Sequence, residues 1–102
     1  MTVIPPGTYR NAITPSGPQT LTIENGTSYT QTNTASQQRI PGTIAQDSSQ
    51  RVTFTSAAGA PCAGEAGLYR ATVDAAGLHL LTVSDPCPTR ANDFVSGPWT
   101  PS

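Results

Sequence analysis

The stretch Gly67-Leu68-Tyr69-Arg70-Ala71-Thr72-Val73-Asp74-Ala75-Ala76-Gly77-Leu78-His79-Leu80-Leu81-Thr82-Val83-Ser84-Asp85 decides the fold class. Two runs of alternating character flank Asp74-Ala75-Ala76-Gly77, a turn-forming segment. Pairing Val73 with Leu78 gathers Tyr69, Ala71, Val73, Leu78 and Leu80 on one face. Arg70, Thr72, His79 and Leu81 fall on the other. The first set reads as interior and the second as exterior, so these residues predict an antiparallel hairpin with one buried side.

Working outward, the same period-two pattern recurs between turn signals. Gly7–Thr14 places Tyr9, Asn11 and Ile13 on one face and stops at Pro15-Ser16-Gly17-Pro18. Gln19–Glu24 alternates Leu21 and Ile23 against Thr20 and Thr22, and Asn25-Gly26 then marks a hairpin turn. A three-residue loop over Glu24-Asn25-Gly26 pairs Leu21 with Tyr29 and Ile23 with Thr27, which keeps the apolar side chains on one face. Arg39–Asp47 contains Pro41 and reads as an interrupted strand at an edge or across a bulge. Between Thr30 and Gln50 the polar, Thr-rich sequence fixes register only loosely. Arg51–Thr55 turns Val52 and Phe54 inward, Asn92–Ser96 carries Phe94 and Val95, and Gly97-Pro98-Trp99 brings the single Trp.

No run of ten or more residues has a helical period, and turns recur every 8 to 12 residues. The expected fold is all-β: one domain over residues 1–102, an antiparallel up-and-down β-barrel of about eight short strands, with a two-sheet β-sandwich as the alternative. Composition agrees, since ten Pro and nine Gly punctuate a chain rich in β-branched Thr.

The charge pattern narrows the function. Charged residues make up only 11% of the chain, and the five basic ones, all Arg, are scattered. That argues against nucleic acid, whose phosphates need a clustered basic face. No apolar run is long enough to span a membrane, and the first residues show no export signal. The expected location is therefore extracytoplasmic if a signal has been trimmed and cytoplasmic otherwise. Nothing in the pattern specifies an oligomer.

Cys62 and Cys87 lie on either side of the Ala75-Ala76 turn and should meet at the open end of that hairpin. A bridge would close a loop of about 26 residues, worth roughly 3.5 kcal/mol in the chain-entropy model. Two free thiols are the alternative reading. There is no CxxC and only one His, so neither metal nor cofactor is expected. Arg70 and His79 share a face and are the candidate catalytic pair, available as acid, base or electrostatic stabiliser. The six acids show no paired spacing for glycoside chemistry, and the sequon Asn25-Gly26-Thr27 is explained by its turn.

Pro61-Cys62-Ala63-Gly64-Glu65-Ala66-Gly67-Leu68-Tyr69-Arg70, Asp85-Pro86-Cys87-Pro88-Thr89-Arg90 and Gly97-Pro98-Trp99-Thr100 together resemble a family of small lipocalin-like domains of high-GC bacteria. Gly7-Thr8-Tyr9-Arg10 likewise resembles the Gly-x-Trp first strand of lipocalin-type barrels, with Tyr replacing Trp. The resemblance implies a calycin-like barrel with a ligand-holding mouth, often in exported proteins. A fainter resemblance, of architecture only, is to the small eight-stranded barrels that cyclise polyketides.

Three functions follow. The first is a binding module that takes a small, mainly apolar molecule into a lumen lined by Tyr9, Leu21, Tyr29, Phe54, Tyr69 and Leu80, with Trp99 as lid or as a plug against the first strand. Its three phenols would converge to orient a polar group of that ligand. Small or polar inward positions, Asn11, Thr27, Thr53 and Ala71, would leave the lumen partly hollow, whereas the aromatics could equally fill it. The second is a cofactor-free cyclase or isomerase using the same cavity as a mould. The third is a structural or interaction domain of an exported protein with a filled barrel.

Overall fold

The computed structural model describes residues 4–24, 27–47, 50–59 and 62–101. Its strands are β1 (Gly7–Asn11), β2 (Gln19–Glu24), β3 (Ser28–Asn33), β4 (Arg39–Gln46), β5 (Arg51–Ser56), β6 (Ala66–Asp74), β7 (Gly77–Ser84) and β8 (Thr100–Pro101), with one helix, α1 (Pro88–Phe94), between the last two. They form a single antiparallel sheet in the order β7-β6-β5-β4-β3-β2-β1-β8. The sheet curls until its ends meet. The Leu78 N–H donates to the Trp99 carbonyl and the Trp99 N–H to that of Leu78, both at 2.8 Å, while Arg10 pairs with Thr100. The last residues thus bridge first and seventh strands into a nearly closed up-and-down barrel, which removes most exposed edge.

The hairpin that decides the fold has the expected register, with Val73 opposite Leu78 and Ala71 opposite Leu80. Tyr69, Ala71, Leu78 and Leu80 are buried, but Val73 is 47% exposed. β5 covers β6 only as far as Arg70, so Val73 projects beyond the barrel rim and loses the cover its position in the pattern implies.

Four local expectations are corrected. Tyr29 lies opposite Ile23, and Leu21 opposite Gln31, a register two residues from the expected pairing of Leu21 with Tyr29 and Ile23 with Thr27. Because the shift is even, every apolar side chain stays on the same face. The turn itself, Asn25-Gly26, lies outside the described residues. β4 is a central strand, paired with β3 over Arg39–Thr43 and with β5 over Gly42–Gln46. Pro41 lies just outside the register with β5 and its carbonyl accepts from the Ala57 N–H at 2.9 Å, so only its N–H is missing and no second ladder breaks. Asn92–Ser96 is not a strand, since Pro88–Phe94 is helical. Ile13 is 67% exposed because β1 ends at Asn11.

Candidate functional site

The residues expected to line a ligand cavity, Tyr9, Leu21, Tyr29, Phe54, Tyr69, Leu80 and Trp99, are all buried. What they surround is one another. Ring centroids stand 5.1 Å apart for Tyr29–Phe54, 5.6 Å for Phe54–Tyr69 and 4.8 Å for Phe54–Phe94, in edge-to-face geometry. Phe94 also meets Tyr69 at 5.3 Å and Trp99 at 6.1 Å, and the Trp99 indole N–H donates to its carbonyl at 3.0 Å. Phe94 is thus a plug that α1 inserts into the barrel. Such contacts each add stability beyond simple burial. Of the positions expected to hollow the lumen, Asn11 and Ala71 are buried, whereas Thr27 is exposed and Thr53 faces outward between Val52 and Phe54.

The phenols do not converge on a ligand position. Tyr9 donates to the Pro5 carbonyl at 2.7 Å. Tyr29 lies 3.5 Å from the Ser56 hydroxyl, and Tyr69 donates to the Asp85 carboxylate. The last two belong to a buried polar network that anchors α1 over one end of the barrel. Arg90 donates from Nε to Asp85 Oδ2 and from Nη2 to Oδ1, each at 2.8 Å, from Nη1 to Ser56 Oγ at 3.1 Å and from Nη2 to the Glu65 carbonyl at 2.9 Å. The side chains of Arg90 and Asp85 are only 4% and 0% exposed. At Gly67 a Cβ would stand 2.5 Å from Asp85 Oδ2, so glycine there is what lets the pair approach the sheet. Burial raises the Asp85 carboxyl, yet hydrogen bonds from Arg90, Tyr69 and the Cys87 N–H, with the Arg90 charge, leave it below its usual value. The Tyr69 phenol is driven strongly upward, by burial first and then by its bond to Asp85.

A second network holds the other end of α1. Asp93 accepts from the Ser16 N–H and hydroxyl and, at 3.2 Å, from the Gln19 amide. Gln31 in turn donates to Gln19 Oε1 at 2.6 Å. Cys62 and Cys87 form a disulfide with Cα atoms 6.0 Å apart, tying the first turn of α1 to the loop after β5. Sequence reasoning had the bridge but missed the helix it restrains. The available signal was Cys87-Pro88, a proline at the first helical positions.

Concave spaces lie at the rim. Between α1 and β3–β4 is a cleft of about 120 Å³ reached by Gln19, Gln31, Ile40, Thr89 and Asp93. At the ends of β1 and β2 a groove of about 450 Å³ is lined by Arg10, Asn11, Pro18, Gln19, Thr20 and Thr100, among others. Neither touches the aromatic set. Arg70 and His79 are on the outer face as expected. His79 binds Asp74 at 3.0 Å in an exposed pair, which holds the Asp74 carboxyl below its usual value, and neither residue borders the spaces described. Among the described residues no cluster of three or more His, Cys, Asp or Glu could hold a metal ion, and no helix is long and apolar enough to cross a membrane.

Compared with known proteins, the chain matches no family model, no curated protein and no solved structure.

Proposed function

We propose that this domain is a lipocalin-like binding module that works outside the cytoplasm and meets its ligand at the barrel rim rather than in the lumen. The observation that carries this reading is the packing of Phe94 against Phe54, Tyr69 and Trp99 at 4.8–6.1 Å, set beside a rim groove of about 450 Å³. Small-molecule sites usually occupy about 300–1,000 Å³, so the groove is large enough and the interior is already occupied. A cyclase would need the same interior open as its mould. The disulfide supports an oxidising compartment, and the paired Cys segments carry the lipocalin-like resemblance.

The test is an apolar fluorescent probe, 1-anilinonaphthalene-8-sulfonate, added to the oxidised protein while Trp99 emission is followed. The expected result is unquenched Trp99 emission, with any bound probe at the rim and away from the rings. Stoichiometric probe binding with quenched Trp99 would put the ligand among the rings and overturn the rim reading. Thiols found free in protein taken from its native host would overturn the compartment.

A further inference from the structure

We propose that the rim groove at the ends of β1 and β2 binds a small organic carboxylate through the guanidinium of Arg10; this rests on the rim reading above and names its ligand class. Arg10 sits on a rigid base, paired with Thr20 of β2 on one side and Thr100 of β8 on the other. Its own carbonyl accepts from the Thr100 hydroxyl at 3.3 Å. The side chain is exposed and, among the described residues, makes neither an ion pair nor a side-chain hydrogen bond.

The other polar groups of the groove are mostly committed. Asn11 donates to Ser96 and accepts from the Ile13 N–H. Gln19 bridges Asp93 and Gln31, and Thr34 donates to the Pro18 carbonyl. What is left facing the groove is the Arg10 fork, a donor with no acceptor, and the Thr20 hydroxyl. A donor-only fork with planar geometry selects a planar acceptor, and a carboxylate fits it with two parallel bonds. Among the described residues, no acid lines the groove. Glu24, the acid nearest on β2, stands four residues beyond Thr20, about 13 Å along the strand. Asp93 lies behind Gln19 and is occupied by Ser16 and Gln19.

The experiment is a titration of ¹⁵N-labelled protein with benzoate, with the neutral isostere benzamide and with inorganic phosphate. Benzoate is expected to give saturable shifts at Arg10, Asn11, Thr20 and Thr100 that weaken with added salt, and benzamide none. Arg10→Gln should weaken benzoate about tenfold, the effect of losing a charge-assisted contact, while Arg39→Gln at an exposed site elsewhere leaves it unchanged. Groove shifts indifferent to charge, or unaltered by Arg10→Gln, would overturn the carboxylate and leave the rim reading standing. Phosphate binding in place of benzoate would also overturn it, assigning a free inorganic anion instead. Shifts centred on Phe54 and Trp99 would overturn the rim reading itself.

Discussion

Replacing Arg90 by Met tests whether the helix is held by charge. The methionine keeps the packing of the aliphatic stem and removes four donated hydrogen bonds, two of them to Asp85. Asp85 would then be a carboxylate with no exposed side-chain surface, supported only by the Tyr69 hydroxyl and the Cys87 N–H. Breaking a buried pair from one side costs about 3–5 kcal/mol, a large share of the roughly 5–15 kcal/mol available to a small domain. Trp99 is fully buried and reports unfolding in urea, where an m-value of about 1.5 kcal/mol/M makes the expected midpoint shift about 2–3 M. The pH dependence adds a sign. In the native protein the Asp85 pKa lies below its usual 3.8, so its contribution is present above that value and lost as pH falls through the lowered one. Without Arg90, burial dominates and the folded pKa rises above the unfolded one, so the variant should gain stability as pH falls from 7 towards 4.5. A midpoint shift under about 0.5 M at pH 7, an ordinary surface effect, would refute the argument. So would a variant whose stability fails to rise as pH falls over that window.

Replacing both cysteines, Cys62→Ser with Cys87→Ser, frees a loop with sequence separation 25 and should lower stability by about 3.5 kcal/mol, read by thermal melting. Phe94→Ala should cost about 3–5 kcal/mol and open a space for a benzene-sized apolar guest, read as a rise in melting temperature with added benzene that the native protein does not show. Gly77→Ala should break the barrel seam, since Gly77 has φ +124° and a Cβ there would stand 2.5 Å from the Trp99 carbonyl; faster amide exchange at Leu78 and Trp99 checks it. Tyr69 should not ionise before unfolding in a spectrophotometric alkaline titration. Its raised pKa contributes stability below the unfolded value near 10, and that contribution is lost only as pH rises beyond it.

Strand alternation was legible wherever one face is buried and the turn is short. Asp74-Ala75-Ala76-Gly77 leaves a single pairing that puts Tyr69, Ala71 and Leu80 together, and that is the register observed. The β2–β3 pairing was misread by two residues, because an even slip leaves the burial pattern of Leu21, Ile23 and Tyr29 unchanged and so costs nothing that the pattern can register. The helix escaped for a different reason. Its seven residues span two turns, too few for a period, and two of its buried side chains, Arg90 and Asp93, are polar. Asp93 depends on partners distant in sequence, Ser16 and Gln19, which no local pattern reveals; Arg90 pairs with nearby Asp85, but its burial depends on distant Ser56 and the Glu65 carbonyl. Arg70 and His79 were rightly placed on one face, but that face borders none of the rim spaces. In the sequence Arg10 is only one of five scattered Arg, within a first-strand motif, because what distinguishes it is the lack of a side-chain partner in three dimensions.

Why so small a barrel should be filled can be argued from magnitudes. A lumen cavity of about 300 Å³, the low end for a ligand site, would cost roughly 7 kcal/mol at ~24 cal/mol per Å³ of unfilled volume. That is about half or more of the stability such a domain can have, and twice what one disulfide returns. Only five buried rings, Tyr29, Phe54, Tyr69, Phe94 and Trp99, form the contiguous aromatic stack, and one of them has to be delivered from outside the sheet by α1. The helix is therefore part of the core. Its seat is fixed by a bridge at Cys87 and by polar networks through Arg90 and Asp93, whose partners lie on different strands and loops, so that a displaced helix would leave buried charges unpaired. A barrel so committed inside would give up stability to open its lumen, which is why the proposed site lies at the rim. On that rim Arg10 is held between two strands with its donors free.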